Sequence, residues 1–155
     1  MICNPIFVSP ISGYAKKSEK CIYEYKKRTN NFSVIAAMTE DEILGYQIFQ
    51  KAITARDFGA FLINLIRSCA LQTNGLDKYV FFLDNSKVHH AKCLKQLRSY
   101  LHICFNAAYT PQLNPIEELF GLWKYYYRPL KIANEKDVIN NINVAFKKIN
   151  KSDLI

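Results

Sequence analysis

Just before Asp84 the chain runs KYVFFL, from Lys78 to Leu83, a short and unbroken apolar stretch rich in β-prone residues. It is too short for an ordinary helix, and a strand apolar on both alternate faces suits an inner position covered from two sides better than an exposed edge. The segment before it has a different period: Phe58, Phe61, Leu62, Leu65 and Ile66 fall at i, i+3, i+4, i+7 and i+8. That spacing predicts an amphipathic helix with its N-cap at Thr54, ending before Asn74-Gly75. A buried strand fed by a helix is the unit from which layered α/β domains are built.

The remaining segments fit around that unit. Asn31 to Met38 (NFSVIAAM) and Ile43 to Phe49 (ILGYQIF) are β-prone runs separated by Thr39-Glu40-Asp41-Glu42, the pattern of a hairpin with a short turn. His90 to Arg98 reads as helical and Leu101 to Phe105 (LHICF) as a strand; a turn region with Pro111 follows. One helix is expected from Pro115 and another over about 134–149. The order β-β-α-β-α-β-α-α predicts a mixed sheet with helices on its faces. At 155 residues, half of them apolar, the chain suits one domain over 1–155, with a core over about 10–128 and a C-terminal helix over about 134–149.

Lys plus Arg outnumber Asp plus Glu by 21 to 13, and the excess gathers at Lys16-Lys17, Lys26-Lys27-Arg28, Lys124 to Arg128 and Lys147-Lys148. Such clusters suit a polyanion, nucleic acid being the commonest, or simply keep a small domain soluble. The five cysteines are widely spaced with no C-x-x-C pair, so they read as buried thiols in a reducing compartment. No apolar stretch approaches membrane-spanning length and no signal-like N-terminus is present, which predicts a soluble, intracellular protein.

Two carboxylates stand out. Asp84 closes the inner strand, so it lies at the rim of the sheet where α/β folds place their ligands; alternatively Asp84-Asn85 only opens a turn. Further on, Asn114 is a good N-cap with Pro115 at the first helical position, and Ile116, Leu119, Phe120 and Trp123 form an apolar stripe. At about 100° per residue, Glu117 lies at the edge of that stripe and Glu118 points away from it. Asn114-x-x-Glu117 also has capping-box spacing, which gives Glu117 a purely structural alternative. A strand-end Asp and a helix-start Glu are nonetheless what a two-metal nuclease needs, since its carboxylates must converge from different elements.

Phe82-Leu-Asp84-Asn85-Ser-Lys-Val-His89-His90 resembles the second-carboxylate motif of Tc1/mariner and IS630-like DDE transposases, and Tyr109-Thr-Pro-Gln-Leu-Asn-Pro-Ile-Glu117 resembles their third. Thirty-two residues lie between Asp84 and Glu117, close to the spacing of that family. Ser33 to Met38, Gly45-Tyr46 and Asp57-Phe-x-x-Phe61-Leu62 look like its hairpin and helix, so the resemblance covers roughly Pro10 to Arg128. It implies an RNase H-like α/β fold and a DDE endonuclease for DNA transposition, with Asp84 and Glu117 as catalytic metal ligands for a pair of Mg²⁺ or Mn²⁺ ions. Asn85 and His89 match supporting positions; His89 is expected either to contact phosphate or to be an exposed histidine at a helix start. The implied partner is DNA, with a homo-oligomer and no membrane, in the nucleus of a eukaryote or the cytoplasm and nucleoid of a bacterium.

One acid of the resemblance has no counterpart. It belongs to the opening strand, in a motif resembling Asp-Glu-Ser-x-Phe, yet no Asp occurs before Asp41. With Pro10 and Gly13-Tyr14 as landmarks it falls at or just before Met1, while Glu19 and Glu24 lie past those landmarks among lysines. The opening strand is therefore expected to be missing or incomplete and the copy incomplete or inactive, and the family's usual helix-turn-helix region is not found. The competing readings are a non-catalytic DNA-binding module derived from a transposase, and an unrelated α/β interaction domain with a capping box and a turn Asp.

Overall fold

The computed structural model describes residues 31–73, 76, 79–107, 110 and 113–154. Several features named above lie outside them: the Gly13-Tyr14 landmark, Glu19, Glu24, Cys3, Cys21, the lysine clusters before residue 30, Asn74-Gly75, Lys78, Tyr109 and Pro111.

Strand β1 (Ser33–Met38) and strand β2 (Ile43–Phe49) form an antiparallel hairpin, pairing Ser33 with Phe49 and Ala36 with Tyr46. Thr39 makes the turn, because its hydroxyl accepts from the Asp41 and Glu42 amides at 3.3 and 3.2 Å while its own amide donates to the Glu42 carbonyl at 2.9 Å. Side chains on β1 alternate between two cores, as the period of a strand dictates. Val34 and Ala36 join the cluster formed by α3 (Pro115–Tyr127) and α4 (Glu135–Lys147), whereas Ile35 faces α1 (Ala55–Thr73).

Helix α1 starts where the sequence places it. The Thr54 amide donates to Asp57 Oδ2 at 3.0 Å and the Asp57 amide donates back to Thr54 Oγ1 at 3.3 Å, a reciprocal cap that occupies two otherwise unpaired donors. Its buried residues Phe58, Leu62 and Cys69 face inward. Gly59 lets the next layer approach, since a Cβ there would stand 2.8 Å from Leu94 Cδ2.

Strand β3 (Val80–Leu83) pairs in parallel with β4 (His102–Phe105), Val80 opposite His102 and Leu83 opposite Phe105. The segment between them departs from the expected helix over His90 to Arg98. Ala91 is extended, and only a 3₁₀ turn at Lys92–Leu94 and a short helix α2 (Lys95–Arg98) form beyond it. The expectation of a strand buried on both faces also fails for β3. Phe81 and Leu83 pack towards α1, but Val80 is 64% and Phe82 47% exposed, because α3 and α4 lie over the hairpin and leave this side open. Among the described residues the strands thus form two two-stranded sheets rather than one.

The helical pair is the best-sealed part of the molecule. The stripe on α3 is buried as the spacing predicts, with Leu119, Phe120 and Trp123 at 0–3% exposure, and Tyr127 extends it by one turn. Helix α4 carries a full capping box, Asn134 with Asp137, and sends Val138, Ile142, Ala145 and Phe146 into the same core. Trp123 Nε1 donates to the Ile142 carbonyl at 3.3 Å and its ring stacks on Phe146 at 5.6 Å, so the two helices are bonded as well as packed. Tyr46 of β2 closes the outer end, stacked on Phe146 at 4.0 Å with its hydroxyl donating to Asn143 Oδ1 at 2.9 Å.

Candidate functional site

Parallel pairing aligns the C-terminal ends of β3 and β4, and both ends are polar. Asp84 follows β3 directly and Asn106 follows β4; the Asn106 amide donates to the Leu83 carbonyl at 2.8 Å and extends the ladder by one step. Asp84 then folds back on its own loop. Its Oδ1 accepts from the Ser86 amide at 2.9 Å, an Asx turn, and lies 2.7 Å from Nδ1 of His89. The same Nδ1 is 3.0 Å from the Asp84 carbonyl oxygen. Both neighbours of that nitrogen are acceptors, so Nδ1 carries the proton and donates.

His89 is 3% exposed and lies tilted against the Phe58 ring at a centroid distance of 4.2 Å. Arg98 Nη1 donates to its carbonyl at 3.1 Å. The histidine is therefore not an exposed helix-start residue; its buried ring holds Asp84 from one side and lines a cavity with it. Burial by itself raises the Asp84 carboxyl, but the hydrogen bonds from His89 and the Ser86 amide, with nearby positive charge, outweigh it and hold the group at about 2. Asp84 is ionised throughout the neutral range.

Asn85 joins the loops after the two strands. Its Nδ2 donates to the Asn106 carbonyl, and its Oδ1 accepts from His90 Nε2 at 3.1 Å; the His90 ring stacks on Phe105 at 4.3 Å. Asn106 is buried and sends Nδ2 to the Thr110 carbonyl at 2.9 Å, towards the segment that leads into α3. Spacing and motif alone do not point to Asn106, Phe58 or Arg98 as parts of the site. Asn106 has a usable signal, a polar residue closing an apolar run as Asp84 does; Phe58 and Arg98 become relevant only through tertiary contact.

Asn114 stands at the N-cap of α3 in extended geometry and is buried, but it makes no side-chain cap bond, so the capping-box alternative for Glu117 is not realised. Glu117 is half-buried and Glu118 exposed, the difference that the helical angle predicts. Asp84, His89 and the first turn of α3 (Asn114, Pro115, Ile116) line one cavity of about 210 Å³, floored by Phe58, Phe61 and Leu62. Glu117 is the residue after that wall. Among the described residues no group of three His, Cys, Asp or Glu side chains could hold a metal ion. No described helix is long and apolar enough to cross a membrane. Of the three tyrosines on the basic end of α3, Tyr125 is 72% exposed, Tyr126 half-buried and Tyr127 buried.

A family model described as DDE superfamily endonuclease matches residues 8–139. Among curated proteins no sequence matches. The fold is similar to that of a pre-cleavage Mos1 transpososome, with TM-score 0.72 and 16% identity over 92% of this chain and 45% of that one. It is also similar to the catalytic domain of Mos1 mariner transposase, with TM-score 0.69 and 17% identity over 84% of this chain and 69% of that one. The same catalytic domain with raltegravir and Mn gives TM-score 0.69 and 18% identity over 81% and 67%. The chain thus spans about half the length of the transposase in the transpososome, and its architecture is the RNase H-like α/β fold of a mariner transposase catalytic domain.

Proposed function

The chain belongs to the DDE superfamily endonucleases, and on that premise we propose that it is the catalytic part of a transposase-like domain that cuts and joins DNA with divalent metal. The observation that carries this reading is Asp84: an ionised carboxylate at the carboxyl end of a parallel strand, its rotamer fixed by a buried histidine, on the same cavity as the first turn of α3. Asp84 and Glu117 offer hard carboxylate oxygens, which suit Mg²⁺ or Mn²⁺, and supply two of the three acids that the family resemblance implies for a two-metal site. When bound, such ions polarise the phosphodiester and activate a water or a DNA 3′-hydroxyl. The role left to His89 is to hold Asp84 Oδ1 in place, and that of Asn85 is to fix the loop after β3 against the loop after β4.

DNA as partner is supported by the net charge of +8 and by the exposed Lys and Arg at the ends of α3 and α4, Arg128, Lys147 and Lys148 among them. The corresponding expectation is weak binding without sequence preference that falls steeply with salt through counterion release. Of the three tyrosines on the basic end of α3, Tyr125 alone is exposed enough to stack on a base. A second reading, a DNA-binding module without catalysis, draws on the same basic surface alone.

Metal titration and cleavage separate the two. Mn²⁺ binding followed by electron paramagnetic resonance should weaken in Asp84→Asn and in Glu117→Gln but not in Glu118→Gln. The 155-residue chain is expected not to nick duplex DNA with Mg²⁺ or Mn²⁺, whereas a version extended by an N-terminal strand ending in Asp should nick it and lose that activity on Asp84→Asn. Equal Mn²⁺ binding by all three variants would overturn the nuclease reading.

A further inference from the structure

Asp84 and Glu117 stand on different cores. Phe81 and Leu83 of β3 pack with α1, whereas Leu119, Phe120 and Trp123 of α3 pack with α4 and with Val34 and Ala36 of β1. One shared core therefore does not set the distance between the two carboxylates. The chain from Asn106 to Asn114 links the end of β4 to the start of α3, and every polar group of Asn106 is engaged. Its amide donates to the Leu83 carbonyl at 2.8 Å and its carbonyl accepts from Asn85 Nδ2, so its backbone holds the residues on either side of Asp84. Its side chain holds a different segment: Nδ2 donates to the Thr110 carbonyl at 2.9 Å, and Oδ1 accepts from Thr110 Oγ1 at 3.4 Å. The same Thr110 carbonyl accepts the Leu113 amide at 3.1 Å, one residue before the N-cap of α3, and the Glu117 amide donates to the Asn114 carbonyl at 2.9 Å. Asn106 is buried, and a polar side chain that closes the apolar run of β4 is costly to bury unless it is bonded. A leucine there would bury more apolar surface and leave the Thr110 carbonyl without that donor.

We infer that Asn106 is a positioning residue: it clamps the loop that carries Asp84 to the segment that leads to Glu117, and so sets how far apart the two carboxylates stand. The backbone half of the clamp is open to any residue except proline. The side-chain half needs a donor and an acceptor on a short stem, which is what asparagine offers. Carboxylates that share a metal pair must converge on ions about 4 Å apart, and a displacement of about 1 Å is enough to spoil such a site. The inference rests on the nuclease reading only for that consequence; the clamp itself concerns two loops and their hydrogen bonds.

The test compares Asn106→Ala with Asn141→Ala in the full 155-residue chain. Asn141 is as buried as Asn106 and its Nδ2 donates to the Lys131 carbonyl at 2.9 Å, so both changes remove the same kind of bond, one at the site and one at the connection between α3 and α4. Amide hydrogen exchange is read at Ser86, which bonds Asp84 Oδ1, and at Leu113; Mn²⁺ affinity is read by electron paramagnetic resonance. Asn106→Ala is expected to speed Ser86 and Leu113 together by about tenfold relative to Asn141→Ala, and to weaken Mn²⁺ binding by about tenfold. Thr110→Val keeps the branched shape but removes the hydroxyl bonds, and should speed the same two amides by about threefold; it carries the test if Asn106→Ala does not fold. Faster exchange at Leu113 with Ser86 unchanged would overturn the clamp, as would equal acceleration by Asn141→Ala. Unchanged Mn²⁺ affinity in Asn106→Ala, beside a loss in Asp84→Asn and Glu117→Gln, would overturn the positioning role. Mn²⁺ binding that ignores those two carboxylate variants instead sinks the nuclease reading and leaves the exchange result standing, so either idea can fail alone.

Discussion

The two sheets of this protein receive unequal cover. The β1–β2 hairpin lies between α1 on one side and the α3–α4 pair on the other, and its inner strand is almost wholly buried. The β3–β4 pair has the same apolar character in sequence, but among the described elements it receives cover on one face, and Val80 and Phe82 are exposed alongside His102 and Cys104. The lesson is about where chemistry can sit. The covered half holds the fold together, while the half-covered one ends in Asp84, where a carboxylate can be fixed by its neighbours and still be reached.

The sharpest way to break this comparison is to remove one ring from each half. Phe120→Ala, in the sealed core, should cost about 3–5 kcal/mol in urea unfolding, the usual loss for a fully buried aromatic. Phe82→Ala, on the open face, should cost under about 1 kcal/mol, since much of its surface already meets water. Similar losses at both sites would mean that something covers β3 in solution.

Next in size is the histidine under the site. His89→Ala strips a buried donor from Asp84 and leaves a gap against Phe58, for an expected loss of roughly 2–3 kcal/mol. It should also raise the carboxyl of Asp84 towards the ordinary range, visible in the carboxyl shifts of a ¹³C-detected titration. A destabilised variant with an unchanged Asp84 titration would show that His89 only fills space.

The pH dependence sharpens the contrast further. The folded-state value for Asp84, about 2, lies below the reference 3.8, so its contribution is fully present above about pH 4 and is lost as pH falls through about 2. A shift of that size corresponds to something on the order of 2 kcal/mol. Wild type and Asp84→Asn should therefore differ most near pH 5 and converge towards pH 2 in denaturant unfolding. Parallel curves over that range would place the stabilisation elsewhere.

The smallest expected effect belongs to the sealed half. Asn134→Ala removes the side-chain cap of α4 and should cost about 1 kcal/mol, a shift of a few degrees in Tm. Because the rest of α4 is held by core contacts, the helix should persist by circular dichroism.

Features set by near neighbours along the chain are legible in the sequence. The turn at Thr39, the cap at Thr54, the start of α3 at Pro115 and the buried side of that helix follow from spacing and local hydrogen bonding, and the chain adopts them. The helix expected over His90 to Arg98 does not form in full because His89 and His90 are drawn into tertiary contacts, one under Asp84 and the other onto Phe105, while Ala91 takes extended backbone. The capping box expected at Asn114 fails although its spacing is correct, whereas the same spacing at Asn134 gives one.

By itself the sequence determined the order and type of most elements, the strand-end position of Asp84 and the helical angle that separates Glu117 from Glu118, since each depends only on residues a few places apart. Tertiary structure alone decided that His89 is buried, that its Nδ1 proton holds Asp84, and that β3 is open on one face. Those outcomes depend on which distant surfaces meet: α1 brings Phe58 against His89, and α3 with α4 covers the hairpin rather than β3. The hydropathy of a strand states how much cover it can use, and only the packing of the helices settles how much it receives.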